Sequence, residues 1–115
     1  MRVSFEGVGQ VCATFLGGGL AEGQVVKLTG RGQAGPCGDG DDFFGAALCC
    51  REDACTVQVR GFVTVGYSGD AAPEVGFTAL CADGAGGVRT AGESGGRAYL
   101  VADADPTAKT ATILL

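Results

Sequence analysis

The chain has 115 residues, 22 of them glycine, and its 18% of charged residues is below the share of about 25% in ordinary soluble domains. The absence of histidine removes the commonest general base and a frequent metal ligand, and 13 acidic against 8 scattered basic residues leave no positive surface for a phosphate backbone. We therefore expect no enzyme, no metal or other cofactor, and no nucleic-acid partner.

This length allows a single domain, so residues 1–115 are predicted to fold around one core, with residues 1–10 as an N-terminal arm or an edge strand. Glu6 lies where a signal peptide would be apolar. No apolar run is long enough to cross a membrane. We therefore expect the chain in the cytoplasm and away from membranes.

The predicted secondary structure is a series of short strands separated by turns rich in Gly, Asp or Pro. Alternating or β-branched apolar residues predict strands, in chain order, at 11–15, 24–29, 43–50, 55–67, 74–80, 87–90, 97–103 and 109–115. Residues 105–108 could form one helical turn. About eight short strands at near-even spacing predict an all-β barrel or sandwich with antiparallel pairing and little helix.

The clearest local pattern is a hairpin formed by segments 43–50 and 55–67. Placing Cys50 opposite Cys55 sets Leu48 against Val57 and makes one face of the hairpin entirely apolar. The same register sets Phe43 against Phe62 on the other face, where a second sheet, an arm or another subunit must cover them. We predict Phe43 and Phe62 as contacts between subunits of an oligomer.

The six cysteines form no CxxC pair, which argues against a zinc site. In a chain without an export signal, they are expected to be buried thiols that behave as small apolar residues. If one pair oxidises, Cys50 and Cys55 are the candidates, because they face each other as the first pair of the hairpin.

Two glycine-rich segments match the sequence motifs of nucleotide-binding and hydrolase sites. Residues 30–35 match GxGxxG, but Pro36 and further glycines follow where the phosphate-binding helix must begin. Residues 92–96 match GxSxG, but Ser94 has no histidine to accept its proton. We interpret both motifs as loops.

Asp39, Asp41 and Asp42 resemble the start of a calcium-binding loop. Phe43 and Cys50, however, occupy later positions at which that loop needs oxygen ligands. We interpret these aspartates as solvated turn carboxylates.

Several stretches together resemble one family of structural proteins. They are 20–28, 43–48, 57–65 with 67–69, 73–76, 82–88, and 99–101 with 107–115. From about residue 11 to the C-terminus, their order resembles that of the capsid decoration, or head-stabilising, proteins of tailed phages and prophages. Their motifs are strand and turn patterns without catalytic residues.

The resemblance implies a structural head protein that binds and stabilises the capsid lattice as a homo-oligomer, expected to be a trimer. Its partners would be other copies of itself and the major capsid protein. Its location would be the cytoplasm of the bacterial host during assembly, and then the virion head. The alternative is a β-barrel that binds a small molecule or carbohydrate through its Asp- and Gly-rich loops.

Overall fold

The computed structural model describes residues 10–18, 20–92 and 95–115, and this part of the chain forms ten β-strands in two sheets and no helix. The all-β prediction is confirmed. The strands are β1 (Val11–Leu16), β2 (Val25–Gly30), β3 (Gln33–Pro36), β4 (Gly45–Cys50), β5 (Ala54–Arg60), β6 (Phe62–Gly66), β7 (Gly76–Ala82), β8 (Val88–Thr90), β9 (Arg97–Asp105) and β10 (Thr110–Leu114).

The first sheet is a closed five-stranded barrel in the order β1-β3-β2-β4-β5. Its pairs are antiparallel except for β1 with β3, which meet in parallel where Leu16 lies opposite Gln33. The barrel packs around a small apolar cluster, as expected for so few strands. The buried members of that cluster are Leu20, Val26, Ala34, Ala47, Cys55 and Val57.

The second sheet has the order β6-β10-β9-β7-β8. A parallel bridge between Tyr67 and Val88 connects the segment after β6 to the far strand β8, so the sheet curls back on itself. Its inner face and part of the first sheet form the main core. The buried members of this core are Val25, Cys37, Phe43, Ala46, Val65, Tyr67, Leu80, Ala82, Val88, Tyr99, Val101, Ala111 and Ile113.

The hairpin of β4 and β5 follows the predicted register only near its turn. Cys50 lies opposite Cys55, as predicted, but a β-bulge at Leu48 shifts the remainder. Val57 therefore lies opposite Ala47, and the predicted pairing of Leu48 with Val57 is wrong. The bulge places the small Ala47 beside Val57 in the barrel cluster and leaves Leu48 half-buried.

The predicted long strand 55–67 is broken at Gly61, where the chain passes from the barrel to the second sheet. Gly61 has φ 99°, a conformation that favours glycine. The Gln58 side chain, 1% exposed, donates from Nε2 to the carbonyl oxygens of Arg60 (3.1 Å) and Phe62 (2.8 Å). It accepts a hydrogen bond of 2.8 Å from Gln10. Gln58 thus satisfies the backbone on both sides of the break.

Candidate functional site: an apolar row on the second sheet

The structure separates the two phenylalanines that were predicted to form one contact. Phe43 is 2% exposed and stacks on Tyr99, with ring centroids 4.7 Å apart and planes 6° apart. The Tyr99 hydroxyl donates to the Phe43 carbonyl oxygen at 2.8 Å. Phe62 lies opposite Leu114, so the predicted pairing of Phe43 with Phe62 is wrong. Phe43 belongs to the core of its own chain and is not available to a second subunit.

Phe62 instead begins a row of apolar side chains across the second sheet. Leu114 is opposite Phe62 on β6 and opposite Leu100 on β9, and Leu100 is opposite Phe77 on β7. Residues directly opposite one another on neighbouring strands project from the same face of a sheet. We call Phe62, Leu114, Leu100 and Phe77 the apolar row.

The apolar row lies on the outer face of the sheet, because the residues next to it along the strands belong to the core. Phe77 is 81% exposed and Leu114 is 37% exposed, while Leu100 and Phe62 are half-buried. Val75, just before β7, is 71% exposed. Single exposed apolar residues are common, but Phe77, Val75 and Leu114 on one sheet face, with Leu100 between them, are typical of a contact surface.

Small, mostly uncharged side chains border the apolar row. On one side Ala79 lies opposite Ala98, and both are exposed. On the other side Thr64 lies opposite Thr112, and their hydroxyl oxygens are 2.9 Å apart. Asp103, opposite Thr112, brings a charge to this border. Such short neighbours let another surface approach the larger side chains of the row.

Asp41 and Asp39 of the calcium-like loop act as structural acceptors. Asp41 accepts hydrogen bonds from Lys27 Nζ (2.6 Å) and from the backbone N–H of Gly38 (2.8 Å). These bonds, that from Lys27 first, lower the pKa of the Asp41 carboxyl. Asp39 accepts from Arg89 Nε at 2.8 Å. Within 10–18, 20–92 and 95–115, no three Cys, Asp or Glu side chains are placed to hold a metal ion.

The glycine motif at 30–35 forms a strand hairpin. Strands β2 and β3 pair around a tight turn at Arg31 and Gly32, where Gly32 has φ 68°. No helix begins there, as the sequence indicated, but residues 33–36 form strand β3 rather than the predicted loop. Ser94 of the second motif lies outside the described residues, as do residues 1–9 of the predicted arm or edge strand.

The cysteines fall into three groups. Cys50 and Cys55 form a disulfide, the pair that the hairpin register indicated. Cys37 and Cys81 are buried thiols, as expected, and burial raises the pKa of Cys37 to about 11 and also raises that of Cys81. The other two cysteines were also expected to be buried, but Cys12 and Cys49 are exposed because they lie on barrel strands with outward-facing side chains.

Comparisons with protein-family models, with curated proteins and with solved structures find no significant match for this chain. No helix in the described part of the chain could span a membrane. Apart from Phe62, the apolar row was not predicted from the sequence, because its members come from four different strands between residues 62 and 114. The only signal in the sequence was the paired apolar residues of the individual strands.

Proposed function

We propose that the protein is a structural protein of a phage or prophage head that binds and stabilises the capsid lattice as an oligomer. The order of its strand and turn segments resembles that of capsid decoration proteins. The major capsid protein would be its partner in the mature head.

The observation that carries this proposal is the exposed end of the apolar row, at Phe77 and the neighbouring Val75. Phe77 is 81% exposed and Val75 is 71% exposed. Covering both with another protein removes apolar surface from water and therefore stabilises the complex. Covering a large apolar side chain contributes about 1.5 to 3 kcal/mol before the costs of association. Lys27 and Asp41 are hydrogen-bonded to each other, as are Arg89 and Asp39, so these charged groups have structural roles and the surface favours docking over catalysis.

The test uses empty heads assembled from the major capsid protein encoded in the same gene cluster. We expect the purified protein to co-sediment with these heads and to raise the temperature at which they disrupt. A Phe77→Asp variant should lose most of the bound protein, whereas Leu28→Asp, on barrel residue Leu28 (58% exposed), should bind like the wild type. A gene cluster without a capsid protein, or heads that bind neither protein, would overturn the proposal.

The alternative, a module that binds a small ligand, is supported by one open depression of about 640 Å³ beside β8. Its lining includes Ser68, Asp70, Glu74 and Arg89. Arg89 is already hydrogen-bonded to Asp39, and no aromatic side chain among the described residues lines the depression as a sugar-stacking platform. Chemical-shift changes at Ser68 and Glu74 on adding a panel of mono- and disaccharides would favour this alternative.

A further inference from the structure

We propose that the Cys50–Cys55 disulfide is a redox switch for the barrel: when a dithiol reduces it, the contact between β1 and β3 opens. We call that contact the barrel seam. The inference does not depend on the proposed function, because it concerns the response of the barrel to its redox environment and not what the protein binds.

The barrel seam is the shortest contact between neighbouring strands of the barrel. Within the described residues, β1 and β3 share one pair, Leu16 with Gln33. One backbone bond supports that pair, from the Leu16 N–H to the carbonyl oxygen of Gly32 (2.8 Å). The other neighbouring strands of the barrel pair over longer registers. Because local opening begins where the fewest bonds must break, the barrel should open first at the seam.

The turn formed by residues 51–54 holds the end of β1 at the seam. Leu16 lies opposite Ala54, the first residue of β5. The next N–H along β1, that of Gly17, donates to the carbonyl oxygen of Asp53 at 3.0 Å. The end of β1 is therefore bonded to this turn on one side and to the seam on the other. A displacement of the turn changes the position of β1 relative to β3.

The disulfide fixes this turn by joining the residues on either side of it. Inside the closed loop, the Arg51 N–H donates to the carbonyl oxygen of Ala54 at 2.7 Å. A disulfide around so short a loop restricts the open state of the loop by a factor of about 30. Reduction should therefore raise the population of the open turn about 30-fold.

The two sulfur atoms differ in access. Cys50 is half-buried, whereas Cys55 is 1% exposed and belongs to the barrel cluster. A thiolate of the dithiol attacks Cys50 Sγ, the S–S bond breaks, and Cys55 leaves as a thiolate that takes a proton from water. The second thiolate of the dithiol then attacks the mixed disulfide and releases Cys50 as a thiol. The dithiol is oxidised to a disulfide by the two electrons that reduce the protein.

The redox environment then selects the form of the barrel. Thiol pools that keep proteins reduced favour the form with an open seam, and oxidising surroundings favour the closed form. An open seam gives solvent access to the barrel cluster, which contains Cys55 and Ala34. The reactivity of Cys55 therefore reports on the state of the seam.

Alkylation of the reduced protein tests the switch, with a matched control inside the chain. Cys37 is also a buried thiol, but it belongs to the main core and not to the barrel cluster. After dithiothreitol, iodoacetamide should label Cys55 at least about tenfold faster than Cys37, as followed by peptide mass spectrometry. Labelling of Cys55 no faster than that of Cys37 would overturn the proposal.

Hydrogen exchange shows whether the opening reaches the seam. Dithiothreitol should lower the protection of the Leu16 and Gly17 amides at least about tenfold more than that of the Tyr67 amide. The Tyr67 N–H bonds to the carbonyl oxygen of Lys109 in the second sheet, away from the switch. An equal fall at both places means that reduction lowers only the overall stability, and would overturn the proposal. So would an unchanged seam.

Two single substitutions separate the disulfide from other effects of the reductant. Cys50→Ala keeps Cys55 in the barrel cluster as a thiol, so its seam should exchange like that of the reduced wild type and ignore dithiothreitol. Cys49→Ala removes the neighbouring exposed thiol and should keep the full response. A Cys50→Ala seam as protected as in the oxidised wild type, or a Cys49→Ala protein without a response, would contradict the assignment. Both wild-type measurements decide the proposal even if a variant fails to fold.

Discussion

Replacing Tyr99 with phenylalanine should destabilise the fold through a single hydrogen bond. Tyr99 is 4% exposed, and its hydroxyl donates to the buried carbonyl oxygen of Phe43 at 2.8 Å. Burial also raises the pKa of Tyr99, so the hydroxyl keeps its proton and its donor role well above neutral pH. The substitution keeps the ring stack but leaves the carbonyl without this donor. We expect a loss of about 2 kcal/mol, because a buried polar group left unsatisfied costs about 1 to 3 kcal/mol.

Tyr67→Phe is the matched control. Tyr67 is 6% exposed in the same core, but its hydroxyl makes no hydrogen bond with any described residue. Urea unfolding followed by circular dichroism should therefore show a loss below about 0.5 kcal/mol for Tyr67→Phe. In thermal unfolding, Tyr99→Phe should lower the midpoint by roughly 8 °C. Equal losses in the two variants would refute the role assigned to the Tyr99 hydroxyl.

Three further predictions concern the thiols and the aspartate loop. Burial raises the pKa of Cys37 from 9.0 to about 11. The contribution of the Cys37 thiol to the free energy of unfolding should therefore be fully present below pH 9 and lost as pH rises through 11. That loss is at most about 2.7 kcal/mol. Urea midpoints between pH 8 and 11 should follow this curve, and Cys37→Ala should flatten it. Reducing the Cys50–Cys55 bond, which closes a short loop, should cost about 2 kcal/mol, and a melting temperature indifferent to reductant would argue against that. Lys27 lowers the pKa of Asp41, so the Asp41 carboxylate should stabilise the fold above pH 3.8 and lose this effect as pH falls further. An Asp41→Asn protein with an unchanged acid unfolding curve would contradict this.

The sequence allowed correct prediction of features that depend on neighbours in the chain. The all-β class and the facing of Cys50 and Cys55 follow from period-two alternation and a short polar loop. The bulge at Leu48 could not be predicted, because a register derived from the sequence assumes a continuous ladder of paired residues. Every residue around Leu48 is apolar, so no polar side chain indicates where the register shifts. The sequence does not predict strand β3, because glycine and proline make up half of its four residues.

The candidate site was outside the reach of local patterns. The sequence marked Phe43 and Phe62 as equivalent, since both lay on the same face of a hypothetical hairpin. Tyr99, from a strand far along the chain, then covers Phe43, and Leu114 takes the place opposite Phe62. Which of the two phenylalanines remains near the surface depends on this long-range pairing, and the local pattern of the sequence carries no signal for it.

The position of β10 inside the second sheet has a consequence for folding. It lies between β6 and β9, although it is the last strand along the chain. Thr64 and Thr112, which meet across this boundary, are 48 residues apart. During synthesis, β6 therefore leaves the ribosome long before β10, the strand that pairs with it. Until β10 emerges, the backbone groups of β6 that bond to β10 have no strand partner. The second sheet can close only after β10 is released, so a nascent chain stalled before Thr110 should be cut by protease within 62–66. A chain held on the ribosome by an added C-terminal linker, long enough to release Leu114 from the tunnel, should resist.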